Sequence, residues 1–104
     1  MTIAKEQILK VKQENPGAEV YQLSAGPHAI LVRSPSDAIW AAFQDAKEKG
    51  GTRALKQLVL DCVLHPSADE VRSIFEKKPA LANTWGVKLM DIAGLEEEAQ
   101  VKKV

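Results

Sequence analysis

Between Leu55 and Glu70 the chain carries an apolar helical stripe, a proline stop and a helix-start signature, back to back. Leu55, Leu58, Val59, Cys62 and Val63 recur at i, i+3, i+4, i+7 and i+8, the spacing of one buried helix face. Leu60 and Leu64 lie off that stripe. They make the segment apolar around more than half its circumference, which predicts the central helix of the fold. Pro66 is expected to close it, because proline has no N–H to donate and pushes the residue before it out of the helical region. Ser67-Ala68-Asp69-Glu70 follows at once and reads as a capping box, with the Ser67 hydroxyl accepting from the Glu70 N–H and the Glu70 side chain reaching back. Two helices abutting at a proline, with no catalytic constellation between them, confine the chain to a compact, mostly helical scaffold.

The remaining segments extend this reading. Residues 1–15 predict an N-terminal helix, with Ala4, Ile8 and Val11 on one face, Ile3 and Leu9 beside them, and Lys and Glu elsewhere. Asn15-Pro16-Gly17 stops it. Residues 20–33 predict a hairpin. Val20–Leu23 and His28–Arg33 are β-prone runs, and Ser24-Ala25-Gly26-Pro27 between them is turn chemistry. Two strands alone are marginal, so the hairpin must lie on helices. Ser34 is expected to cap the next helix, with Pro35 at its first position and Asp37 complementing its positive end. Ile39, Ala42, Phe43 and Ala46 form its inward stripe, Trp40 widens it, and Lys49-Gly50-Gly51 ends it. Past Ser67, the inward face is Val71, Ile74 and Phe75. Pro79 opens a last helix, with Leu81, Trp85, Leu89 and Ile92 as its stripe and Gly94 as its stop. The expectation is an α+β fold, a small antiparallel hairpin packed on a bundle of four or five short helices. Residues 1–94 form a single domain, with 34–94 as the helical part, and 95–104 form a flexible tail with charges and little to bury.

Composition restricts function. At 104 residues, a chain buries about two-thirds of its unfolded surface, enough for one modest core. Lys and Arg total 14 and so do Asp and Glu, so no basic footprint marks a nucleic-acid partner. One cysteine cannot form an intramolecular disulfide, which fits a reducing cytoplasm. The charged start, Met1 to Asn15, is expected to be neither signal peptide nor membrane span.

No residue pattern points to an enzyme, a metal or a cofactor. His28 and His65 have no ligand spacing around them, and His65 at a helix end suits a capping role. Cys62 lies on the apolar stripe, where a cysteine acts as a small hydrophobe. Asp61 beside it points to another side of the helix and cannot serve it as a base. Gly50-Gly51-Thr52 lacks the phosphate-loop spacing and a preceding strand, and reads as a helix-to-helix turn. Trp40, Leu60, Leu64, Val87 and Met90 lie off the primary stripes. Trp85, Leu89 and Met90, with Trp40 as a neighbour, are the candidate partner-binding patch, because aromatic and Met side chains anchor interfaces. Burial in the core fits the spacing of Trp85 and Leu89 equally well.

Six segments occur in a definite order. They are Val20-Tyr21-Gln22-Leu23, Arg33-Ser34-Pro35-Ser36-Asp37, Leu58-Val59-Leu60-Asp61-Cys62-Val63, Pro66 with Glu70, Lys78-Pro79-Ala80-Leu81-Ala82 and Ile92-Ala93-Gly94. Over about three-quarters of the chain this layout resembles small phage tail assembly chaperones and related prophage proteins. The resemblance implies a non-enzymatic role in the cytoplasm of an infected or lysogenic bacterial host. There the protein would bind the tape-measure protein and keep its long helical apolar surface soluble until the tail tube polymerises around it. An apolar groove holding an amphipathic helix by i, i+3, i+4, i+7 anchors suits that task. Self-association through the same surplus of apolar surface is the other partner expectation. Two further readings come from different classes. One is a small structural or oligomerising component of the phage particle. The other is a host regulatory domain that binds nucleic acid, against which the neutral charge and the lack of a basic recognition helix weigh.

Overall fold

The computed structural model describes residues 3–94 and 100–104. Among these, five helices and a three-stranded antiparallel sheet form an α+β fold that is mostly helical. The elements are α1 (Lys5–Glu14), β1 (Val20–Ala25), β2 (His28–Arg33), α2 (Asp37–Lys47), α3 (Gly51–Cys62), β3 (Val63–His65), α4 (Ala68–Lys77) and α5 (Ala80–Ile92). The expected tail falls partly on residues 95–99, outside the described residues. Gln100–Val104 have no regular secondary structure and are exposed.

The hairpin is tighter than the four-residue turn expected from its sequence. Pairing runs from Val20↔Arg33 to Ala25↔His28, which leaves only Gly26 and Pro27 in the loop. Gly26 has a φ of 56°. A type II′ hairpin turn needs a positive φ at that first central position, and glycine supplies it without strain.

Two local expectations are corrected. Ser36, not Ser34, caps α2: its hydroxyl accepts from the Ile39 N–H at 3.3 Å. Ser34 instead donates its N–H to the Glu19 carbonyl at 3.1 Å. The hairpin ladder thus runs one pair further than its strands and keeps Ser34 extended. The central helix also ends at Cys62 rather than at the proline. Val63 turns extended (φ −68°, ψ 132°), and Val63–His65 becomes β3, pairing Val32↔Val63 and Leu31↔His65 with a bulge between. A β-branched residue close to a proline favours this early exit, and β2 offers the open edge that accepts the segment. The Ser67 half of the capping box forms as expected, with its hydroxyl accepting from the Glu70 N–H at 3.3 Å.

The main core gathers on α3, as the apolar circumference of that segment predicts. Ala54, Leu58, Val59, Leu60 and Cys62 are buried there. Phe43 of α2, Val71 and Phe75 of α4, and Ala82, Trp85 and Leu89 of α5 close around them. Leu23, Ile30 and Val32 line the sheet face that meets this cluster. On α2 the inward stripe is narrower than expected, because Ala42 is exposed while Ile39 and Ala46 are half-buried.

Leu31 is buried too, but strand alternation turns it to the opposite sheet face. Val11 of α1 is the other buried hydrophobic residue outside the main cluster. Ile3, Ala4 and Gln7 share a cleft with Ala29 and His65, which lie on the Leu31 face. α1 therefore covers that side, giving three layers: helix, sheet, helices. Leu9, expected beside the α1 stripe, is 58% exposed.

Candidate functional site

The four residues of the expected patch do not form one surface. Trp85 is 1% exposed and Leu89 0%. The Trp85 ring packs on Phe75, centroids 6.0 Å apart and planes tilted by 52°. Both residues are core, so the folded chain does not offer them to a partner. The reason is the Leu89 and Trp85 spacing of i, i+4, which turns them together onto α3. The Trp85 indole N–H has no hydrogen-bond partner among the described residues. Trp40 is half-buried, set against Phe43 with centroids 5.3 Å apart. Met90 is half-buried at the margin of the core.

What α5 presents to solvent is Val87, 47% exposed. It stands three residues before half-buried Met90, and side chains at that spacing are neighbours on a helix surface. Val87 and Met90 form a short apolar strip flanked by exposed Asn83, Thr84 and Lys88. The position of Val87 off the primary stripe is the signal that points to it.

Among the described residues, no group of three or more His, Cys, Asp or Glu side chains could hold a metal ion. His28 and His65 stand on strands β2 and β3. The structure does not place His65 at a helix end, so its expected capping role is replaced by pairing with Leu31. Cys62 is 0% exposed. Burial first, and then the Asp61 carboxylate, push its thiol pKa up to about 11, with the Arg33 cation opposing both. A thiol held neutral in this way is a poor nucleophile.

Two clefts are roomy. One, of about 370 Å³, lies between α1 and the β3–α4 junction, with Ile3, Ala4, Ala29 and Pro66 as apolar wall and His65 and Glu70 at its polar margin. The other, of about 280 Å³, lies at the α2–α3 turn beside Lys49, Gly50, Arg53 and Gln57. Gly50 is the residue before the first turn of α3 there, and Gly51 and Thr52 already belong to that helix, so the helix-to-helix turn expected at Gly50-Gly51-Thr52 falls earlier, at Glu48–Gly50. No helix among the described residues is long and apolar enough to cross a membrane.

The uncharacterised protein rbstp2171 from Bacillus stearothermophilus has a similar fold, with a TM-score of 0.76 over 91% of this chain and 99% of that one, at 19% identity. No functionally curated protein matches the chain. Residues 7–102, spanning α1 to the end of the helical part and beyond, match the model of a family described as a domain of unknown function, DUF6848. The chain belongs to the DUF6848 family.

Proposed function

We propose that this domain is a non-enzymatic tail assembly chaperone of a phage or prophage. In the host cytoplasm it would bind amphipathic helical segments of the tape-measure protein. The observation that supports this reading is the Val87–Met90 strip on α5. It leaves apolar helix surface in solvent after the core has been completed by Trp85 and Leu89. An amphipathic helix laid along α5 would cover that strip through its own i, i+3, i+4 apolar positions.

Co-expression with the tape-measure protein of the same phage is the test. The wild-type chain keeps that protein in the soluble fraction. Val87→Asp places a charge in the strip at an exposed position, so it abolishes rescue while circular dichroism stays that of the wild type. Met90→Asp abolishes rescue too if it stays folded. Persistent rescue by a folded Val87→Asp protein moves the binding face elsewhere. No rescue by the wild type refutes the chaperone reading.

A second reading, a structural or oligomerising particle component, draws support from the open edge of β1 described below. It requires the chain in purified virions, whereas a chaperone is absent from them.

A further inference from the structure

We infer that β1 is a self-pairing edge, through which two copies of this chain join their sheets. In the strand order β1-β2-β3, β1 has a partner on one side only. The direction of its backbone groups follows from the ladder. The Ser34 N–H donates to the Glu19 carbonyl, which makes Glu19 and Ser34 a hydrogen-bonded pair. Antiparallel pairs alternate, so Tyr21, Leu23 and Ala25 also turn their N–H and C=O groups to β2. Val20, Gln22 and Ser24 turn theirs outward. Among the described residues no strand pairs with β1 on that side, and Tyr21, Gln22 and Ser24 are exposed.

The chemistry of the edge specifies its occupant. A row of alternating outward donors and acceptors is satisfied by another extended strand. Strands at sheet edges are ordinarily guarded by lysine, proline or an inward charge. β1, Val-Tyr-Gln-Leu-Ser-Ala, has none of these. A second copy of the same strand fits in a single two-fold register. With Gln22 opposite Gln22 of the second copy, Val20 falls opposite Ser24, and all three outward-facing residues of each strand pair at once. In that register Tyr21 falls opposite Leu23 of the other copy, on the sheet face that carries the main core. Tyr21 is 38% exposed and would be covered there. Glu19 falls opposite Ala25, so no like charges meet. Closed two-fold pairing of one edge with itself also ends the assembly at two copies. Such a short interface makes a weak dimer. This pairing does not depend on any role in tail assembly.

The test is sedimentation equilibrium on the full chain, from micromolar to roughly 1 mM, the range that reads weak association. The wild-type mass rises with concentration from 11.4 kDa toward twice that value. Gln22→Lys and Gln22→Glu each set two like charges face to face at the two-fold axis, and each stays at monomer mass. Mixing the two variants in equal amounts sets Lys opposite Glu and restores the rise. Thermal melts followed by circular dichroism are unchanged, because position 22 is exposed. Wild-type protein at monomer mass throughout overturns the proposal. So does a Gln22→Lys protein that associates like the wild type, or a folded pair of variants whose mixture stays monomeric.

Discussion

Gly86 of α5 lies so close to Leu55 of α3 that a Cβ added to it would stand 2.8 Å from Leu55 Cδ2 and 2.9 Å from Leu55 Cβ. The second distance matters more, because a Cβ cannot swing away as the end of a side chain can. Gly86→Ala gains about 1 kcal/mol of helix propensity but forces the two helices apart at the centre of the core. Overpacking of that kind costs about 1–3 kcal/mol, so net destabilisation is expected. Gly51→Ala, at a helix start with nothing within 4 Å of the added Cβ, is neutral or stabilising. Urea denaturation of both variants checks the contrast, and a Gly86→Ala protein as stable as Gly51→Ala would disprove the close packing.

The caps of α2 and α4 are each one serine. Ser36→Ala and Ser67→Ala each lose a side-chain acceptor for a first-turn N–H, at a cost of about 0.5–2 kcal/mol. Ser34→Ala and Ser73→Ala are expected to stay within about 0.5 kcal/mol of the wild type, as for most surface changes. A larger loss at Ser34 than at Ser36 would return the helix start to the earlier serine.

Cys62 makes a prediction about alkaline pH. Its thiol pKa is raised from 9.0 to about 11 by burial first, then by Asp61. In the unfolded chain the thiol ionises at its ordinary value, while the folded chain still holds the proton. The contribution of this group is therefore complete below about pH 9 and is lost as the pH rises toward about 11. Cys62→Ser removes that part of the alkaline decline. It also lowers stability at neutral pH by about 1–2 kcal/mol, because it buries a hydroxyl in apolar surroundings. Native protein should react with a thiol reagent only at the rate at which it unfolds, and fast labelling would contradict the burial.

The α1 layer is testable by two substitutions on one helix. Val11 is 4% exposed and Leu9 58%. Val11→Ala is expected to cost about 1–3 kcal/mol through lost burial and the cavity left behind. Leu9→Lys should change stability by no more than about 0.5 kcal/mol. Equal losses would mean that α1 is turned otherwise on the sheet.

Features set within a few residues were legible in the chain itself. The stripe through Leu58, Val59 and Cys62 determined a buried helix face, since residues three and four apart must share a side. Ser67 three before Glu70 determined a helix start, because a serine oxygen at that spacing reaches an otherwise unpaired first-turn N–H. Ser24-Ala25-Gly26-Pro27 between two β-prone runs determined a hairpin, and the structure narrowed its loop to Gly26-Pro27. Tertiary structure decided what such short-range rules leave open. Val63-Leu64-His65 fits either the end of a helix or a short strand, and the free edge of β2, some thirty residues earlier, made it a strand. Ser34 and Ser36 could each cap α2, and the bond from Ser34 to Glu19 took one of them into the ladder. Trp85, Leu89, Val87 and Met90 are all apolar residues of one helix. Periodicity states which of them lie together, but only the place of α3 beside α5 sends Trp85 and Leu89 inward and leaves Val87 in water. Side-chain spacing is a property of the chain; the choice of the buried face belongs to the neighbour that covers it.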